Sequence, residues 1–259
     1  MNNGPVDPEF SRQLATAQSL VGKADGDIEH FFEAPVLLTG EPDVLCTENG
    51  RWLLWNSAFL LVRMTKRLTI EVRGNEELAG DIRAAIADLT KHGAEVSAGG
   101  VDRRQFEAIL SVGSNVEPSL PWTSVNSNGW VARVSSLRTN LPVDCSQANP
   151  IGALAAAALG VTEVFKRLIK LKPERGELHD NFAFSFYSYS EHDDPGPPIP
   201  SLKVENLLIV GAGAIGNGVC QLLRQLPADG TVSIVDPQDF KEENLGTSRQ
   251  VPRFSSLKS

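Results

Sequence analysis

Four residues of the 259-residue sequence have the types and spacing of a nucleotide site: Gly211, Gly213, Gly216 and Asp236. The glycines form G-x-G-x-x-G directly after the apolar run ENLLIV and before the helix-patterned NGVCQLLRQL. In that order the first glycine permits a tight turn, the second lets backbone approach a phosphate, and the third lets helix and strand pack closely. The free N–H groups at the helix start then face an anion. After the turn PADG, the strand-like TVSIVD ends on Asp236, a position from which a carboxylate accepts hydrogen bonds from ribose hydroxyls.

Other groups that could do chemistry are weaker. Cys46, Cys145 and Cys220 are far apart, odd in number and without C-x-x-C spacing, which argues against a disulfide framework and a cysteine zinc knuckle. Cys145, in PVDCSQANP, would need a paired base to act as a thioester nucleophile; none is visible, and it reads as a structural cysteine beside a helix start. His30, His92, His179 and His192 stand isolated, and EHDD at 191–194 reads as a solvated acidic turn rather than a metal site. No metal-ligand set is expected.

Composition narrows the partners. The formal net charge is −8, with no lysine-arginine run to serve as a nucleic-acid footprint or a polybasic membrane patch. The start, MNNGPVDPEFSRQ, lacks the basic-then-apolar build of a signal peptide, and the apolar stretch Ile151 to Ile169 carries Glu163, Lys166 and Arg167, too many charges for a membrane span. A cytoplasmic, reducing setting is the expectation, with neither nucleic acid nor membrane as partner.

The elements that must position the glycines follow from periodicity. Residues 1–51 are poorly patterned, with one helix expected around FSRQLATAQSLVGKA and an apolar pair at Phe31 and Phe32. From Trp52, RWLLWNSAFLLVRM and RLTIEV read as strands, or as a buried apolar segment followed by a strand. In NEELAGDIRAAIADLTKHG, Leu78, Ile82, Ala85, Ile86 and Leu89 share one helical face and Gly93 stops it. AEVSA, FEAILSVGS and GWVARVS supply three more strand-like runs. Asn149 caps and Pro150 opens a helix expected to run to about Ile169, against a sheet. Then come a loop, the strand NFAFSFYSYS and the proline-rich EHDDPGPPIP. The fold class is α/β, divided into an N-terminal segment 1–51, an α/β lobe 52–190, a linker 191–203 and the start of a Rossmann-like unit at 204–259.

The run beyond Asp236, IVDPQDFKEENLGTSRQ, resembles the ThiF/MoeB/HesA superfamily, the adenylating domains of ubiquitin-activating-type enzymes. The resemblance implies that Asp236 binds the ATP ribose while Asn244 and Arg249 reach toward the triphosphate. Asp239 and Arg249 each stand later than in the family pattern. Further back, VNSNGWVARVSS and ANPIGALAAAALGVTEVFKRL are similar to the late part of a ThiF-type lobe, so the first lobe is expected to be a degenerate adenylation lobe that does not bind ATP, with EVRGNEELAG standing where a glycine loop would be.

The implied function is the ATP-binding portion of an adenylyltransferase that activates the C-terminal carboxylate of a ubiquitin-like or sulfur-carrier protein, acting as a dimer or as paired lobes. The family's magnesium-holding aspartate and its phosphate-polarising lysine would lie past Ser259, so this chain alone is expected to be incomplete and to release no pyrophosphate. Two alternatives stay open: an NAD(P)-dependent oxidoreductase, which the glycine loop and Asp236 alone would allow, and a non-catalytic partner-binding module.

Overall fold

The short apolar run VLLTG lies at the centre of the molecule. In the computed structural model, which describes residues 10–19, 28–87, 89–90 and 92–237, it forms strand β1 (Val36–Gly40), buried along its whole length. Its parallel neighbours are β2 (Leu68–Glu71), with Val36 opposite Leu68, and β4 (Ala108–Val112), with Val36 opposite Ala108. Beyond β2 lies β3 (Glu95–Ser97), also parallel, and beyond β4 lies parallel β5 (Trp122–Asn128). Then β6 (Val131–Ser135) and β7 (Phe182–Ser185) add on antiparallel, giving the order β3-β2-β1-β4-β5-β6-β7.

The helices are α1 (Ser11–Ser19), α2 (Ile28–Glu33), α3 (Pro42–Leu45), α4 (Glu48–Leu61), α5 (Glu76–Ala87) and α6 (Pro150–Leu168). Alternate strand residues point to opposite faces. On one face Val36, Leu38, Ile70, Leu110, Val125 and Val134 meet Leu53 and Leu54 of α4, Ile82 of α5 and Val164 of α6 in the main core. On the other, Leu37, Ile109, Phe106 and Trp122 are covered by Val116 and Leu120 of the β4–β5 connection, not by a helix.

Local chemistry explains the helices. Asn149 Oδ1 accepts hydrogen bonds from the N–H groups of Ile151 (2.9 Å) and Gly152 (3.4 Å), and Pro150 sits where its missing N–H costs nothing, so α6 starts where its cap predicts. Its small residues let it lie close to the sheet. At Gly160 a side chain would run into Val125 and Leu110.

Of the two readings of RWLLWNSAFLLVRM and RLTIEV, the buried apolar segment followed by a strand holds: the first run is not a strand but most of α4, whose first turn is capped by Thr47 Oγ1 accepting from Gly50 N at 3.0 Å, and the second carries β2. Because Leu53, Leu54, Ala58, Phe59 and Leu61 are all buried, apolar residues surround the helix and no single-face period marks it. The lobe also begins before Trp52, since β1 falls inside the segment expected to be poorly patterned.

The proline-rich stretch is bound to the lobe rather than free. Arg133, on β6 and only 3% exposed, holds Asp193 through Nη2 (2.7 Å) and Nε (3.0 Å). Trp130 N donates to Pro195 O at 2.9 Å and Trp130 Nε1 to Pro197 O at 2.8 Å. Ser185 Oγ donates to Asp194 O at 2.7 Å. Asp193 is therefore an anchor as well as part of an exposed acidic turn, and 193–197 is a strap across the β5–β7 end of the sheet.

After the strap, β8 (Leu202–Val210), α7 (Ala214–Gln225) and β9 (Ala228–Val235) form a parallel β-α-β unit, with Leu207 opposite Val232 and Val210 opposite Val235. The chain is α/β, with a mostly parallel seven-stranded sheet and this separate two-stranded one. Among the described residues no helix is long and apolar enough to cross a membrane.

Candidate nucleotide-binding turn and a filled crevice

The glycine turn is positioned by β8 and α7. Gly211 has φ +98, a conformation that glycine takes without strain, and its N–H donates to Val235 O at 2.8 Å, which ties the turn to the end of β9. Gly213 is the residue before α7, and nothing lies within 4 Å of where a side chain would begin at Gly211 or Gly213. That open space is what backbone approach to a phosphate requires. At Gly216 the opposite holds: a methyl group would collide with the Gly211 carbonyl, so this glycine serves strand–helix contact.

Asp236 stands at the end of β9 and its Oδ2 accepts a hydrogen bond from Ala212 N at 2.6 Å. The structure thus brings Gly211, Gly213, Gly216 and Asp236 together at one end of the parallel pair. Asn244 and Arg249, with Asp239, lie outside the described residues.

Sequence reasoning passed over Asn217. This residue, 8% exposed, donates through Nδ2 to the carbonyls of Ala212 and, at 3.1 Å, Gly213. Both carbonyls are thus engaged by α7, while the N–H groups of Gly211 and Ala212 are engaged by Val235 O and Asp236 Oδ2. The signal was available as a polar residue directly after the third glycine.

Apolar packing in this unit is one-sided. Ile209 contacts the Gly216 position, and Val204, Val232 and Ile234 line a groove of about 690 Å³ with Cys220, Leu223 and Leu226 of α7. The opposite sheet face leaves Leu208 at 58%, Val210 at 76% and Val235 at 54% exposed. Burial pushes the Cys220 thiol up from its ordinary value, so it acts as a packing group. Cys145 is half-buried against the main core.

The first lobe has a topological switch point of its own. In a sheet ordered β3-β2-β1-β4, connections turn to opposite sides at the β1/β4 boundary, and ligands of such folds bind beyond the strand ends at that point. The residues there are Glu41, next after β1, and Gly113-Ser114-Asn115, next after β4. The counterpart of a glycine loop is therefore the β1 end, not EVRGNEELAG, which is the turn from β2 to α5. Glu41 Oε1 accepts from Ser114 N and Asn115 N, each at 2.8 Å.

Glu71, the last residue of β2 and fully buried, stands where such folds place a ribose-binding acid. It accepts from Thr39 Oγ1 at 2.7 Å and Val101 N at 3.0 Å, and pairs with Arg73 at 3.0 Å and Arg103 at 3.3 Å. Arg103 in turn lies 4.9 Å above the Trp122 ring. Burial alone would raise the Glu71 carboxyl, but the bonds from Thr39, Val101 and Arg73 outweigh it and hold the group below the usual range.

His179, read as isolated, joins a network at the other end of the sheet. Glu163, 2% exposed, accepts from His179 N at 2.9 Å, lies 2.9 Å from His179 Nδ1 and pairs with Lys166. This network fastens α6 to the segment before β7. Among the described residues no group of three or more His, Cys, Asp or Glu is arranged to hold a metal.

Comparison with known proteins gives a partial similarity. Residues 61–180 match the family model described as the BilD N-terminal domain, a stretch that leaves out β1 and the whole glycine unit. The chain is also similar to the uncharacterized protein y4jF of Sinorhizobium fredii (strain NBRC 101917 / NGR234), 32% identical over 142 residues that cover 53% of this chain. The match spans only 27% of that relative's length.

Proposed function

We propose that the chain is the ATP-binding portion of a ThiF-like, ubiquitin-activating-type adenylyltransferase, which activates the C-terminal carboxylate of a ubiquitin-like or sulfur-carrier protein. The reading rests on the turn: Gly211 and Gly213 open to solvent at the start of α7, with the Asp236 carboxylate drawn over them by Ala212 N at 2.6 Å. These residues suit a nucleotide whose phosphates lie on the backbone N–H groups and whose ribose meets the acid. In the reaction a carboxylate oxygen attacks the α-phosphorus of ATP, the bond to the β-phosphate breaks, and pyrophosphate leaves with the electron pair.

The chain's own contribution is binding and orientation. Asn217 fixes the turn's carbonyls, Asp236 fixes Ala212, and the glycines admit the phosphates. By the family resemblance Asn244 and Arg249 would add contacts to the triphosphate. No described residue is assigned to magnesium. Pairing with a second lobe or a second copy, and a cytoplasmic setting, belong to the same proposal.

The test is ATP–pyrophosphate exchange by the natural full-length protein that carries this chain, with magnesium and a panel of ubiquitin-like and sulfur-carrier proteins. Exchange that depends on one of them supports adenylation. Reduction of NAD or NADP without exchange would instead favour an oxidoreductase.

A further inference from the structure

We infer that the first lobe contains an anion-binding seat at its β1/β4 boundary, and that Glu41 fills it from within the chain. Two consecutive backbone N–H groups, Ser114 and Asn115, converge on one oxygen, Glu41 Oε1, at 2.8 Å each. The Ser114 hydroxyl reaches the other oxygen at 3.4 Å. Successive N–H groups aimed at one point form a concavity that binds anions, and phosphate is its commonest guest. The seat lies at the place where doubly wound sheets bind ligands.

The surrounding geometry is built for that carboxylate. Glu41 N donates to Val112 O at 2.8 Å, which continues the β1–β4 pairing by one residue and aims the side chain across the boundary. At Gly113, with φ +157, any side chain would collide with the Glu41 carboxyl. Nearby, the acid at the end of β2 is also satisfied internally, since Glu71 is closed off by Thr39, Arg73 and Arg103. A phosphate at Ser114 and Asn115 would have to displace a charged group tethered at negligible distance, an intramolecular competitor of high effective concentration. The seat is therefore closed in the native chain and opens when the carboxylate is removed. This inference rests on the sheet topology and stands whether or not the glycine unit adenylates anything.

The experiment follows the amide resonances of Ser114 and Asn115 by NMR in chain labelled selectively at serine and asparagine, during titration with inorganic phosphate and then ATP. Site-resolved signals separate this seat from binding at Gly211–Gly216. In the native chain the two amides should stay unmoved. In Glu41→Ala they should shift with added phosphate, with apparent affinity at this seat raised about tenfold or more. Should Glu41→Ala fail to fold, Glu41→Gln keeps the length without the charge and should show the same response, smaller in size. Folded variants whose Ser114 and Asn115 amides ignore phosphate would overturn the inference, as would a native chain that responds as strongly as Glu41→Ala.

Discussion

Asn49 Oδ1 accepts a hydrogen bond from Asn149 N at 2.8 Å, across 100 residues of sequence. Its Nδ2 donates to Gln147 O at 2.6 Å and Ser127 O at 3.3 Å. One buried amide in the first turn of α4 thus holds the residue that caps α6 and the end of β5. Asn49→Ala leaves Asn149 N and the Gln147 carbonyl without this partner in a dry site, which should cost about 1–3 kcal/mol. Urea denaturation measures it, and an unchanged midpoint would contradict the arrangement.

The glycines of the turn should separate by role. Gly216→Ala forces a methyl onto the Gly211 carbonyl and should destabilise the β8-α7-β9 unit by about 1–3 kcal/mol through overpacking. Gly213→Ala meets nothing within 4 Å in the protein, so stability should hold while ATP affinity falls about tenfold. Hydrogen exchange of the unit's amides beside a binding titration tests both. Equal effects of the two substitutions on stability would contradict the assignment.

Asp180 carries a pH dependence. Burial pushes its carboxyl upward, but N–H groups of Thr139 and Arg138 and the hydroxyls of Ser135 and Thr139 donate to it and hold it well below the ordinary 3.8. A carboxyl depressed in the folded state adds stability above its unfolded value, and that stability is lost as pH falls through the folded value. Asp180→Asn should therefore be less stable than the native chain at neutral pH, and the gap should begin to narrow below about pH 4 and go on closing as pH falls toward the depressed folded value. A gap independent of pH would show that the hydroxyl and N–H bonds do not favour the charged form.

What sequence alone could reveal depended on how local the signals were. Asn149-Pro150 and the glycine turn announce themselves because cap and turn chemistry is set by adjacent residues. β1 was hidden because a central parallel strand is buried on both faces, so VLLTG shows no alternation. β5 was hidden for the opposite reason. Its Asn126 and Asn128 look like loop residues, yet their amides donate to Pro142 O and to Asp144 Oδ2 inside the fold. The Glu41 seat was out of reach, because 73 residues separate the carboxylate from Ser114 and only the sheet order joins them. That Asp236 and the three glycines gather at one turn was readable from their spacing, whereas Asn217, a polar residue directly after the third glycine, needed its two carbonyl partners to give it a role.

The central claim is that Gly211, Gly213, Gly216 and Asp236 hold an adenine nucleotide of the ATP type, and calorimetric titration of the chain with ATP and with NAD tests it most directly. The account predicts that ATP binds more tightly than NAD, and that Asp236→Ala weakens ATP by about 1–3 kcal/mol, the scale of a lost charged hydrogen-bond partner. Tighter binding of NAD than of ATP, or an Asp236→Ala chain that binds ATP as well as the native one, would contradict it.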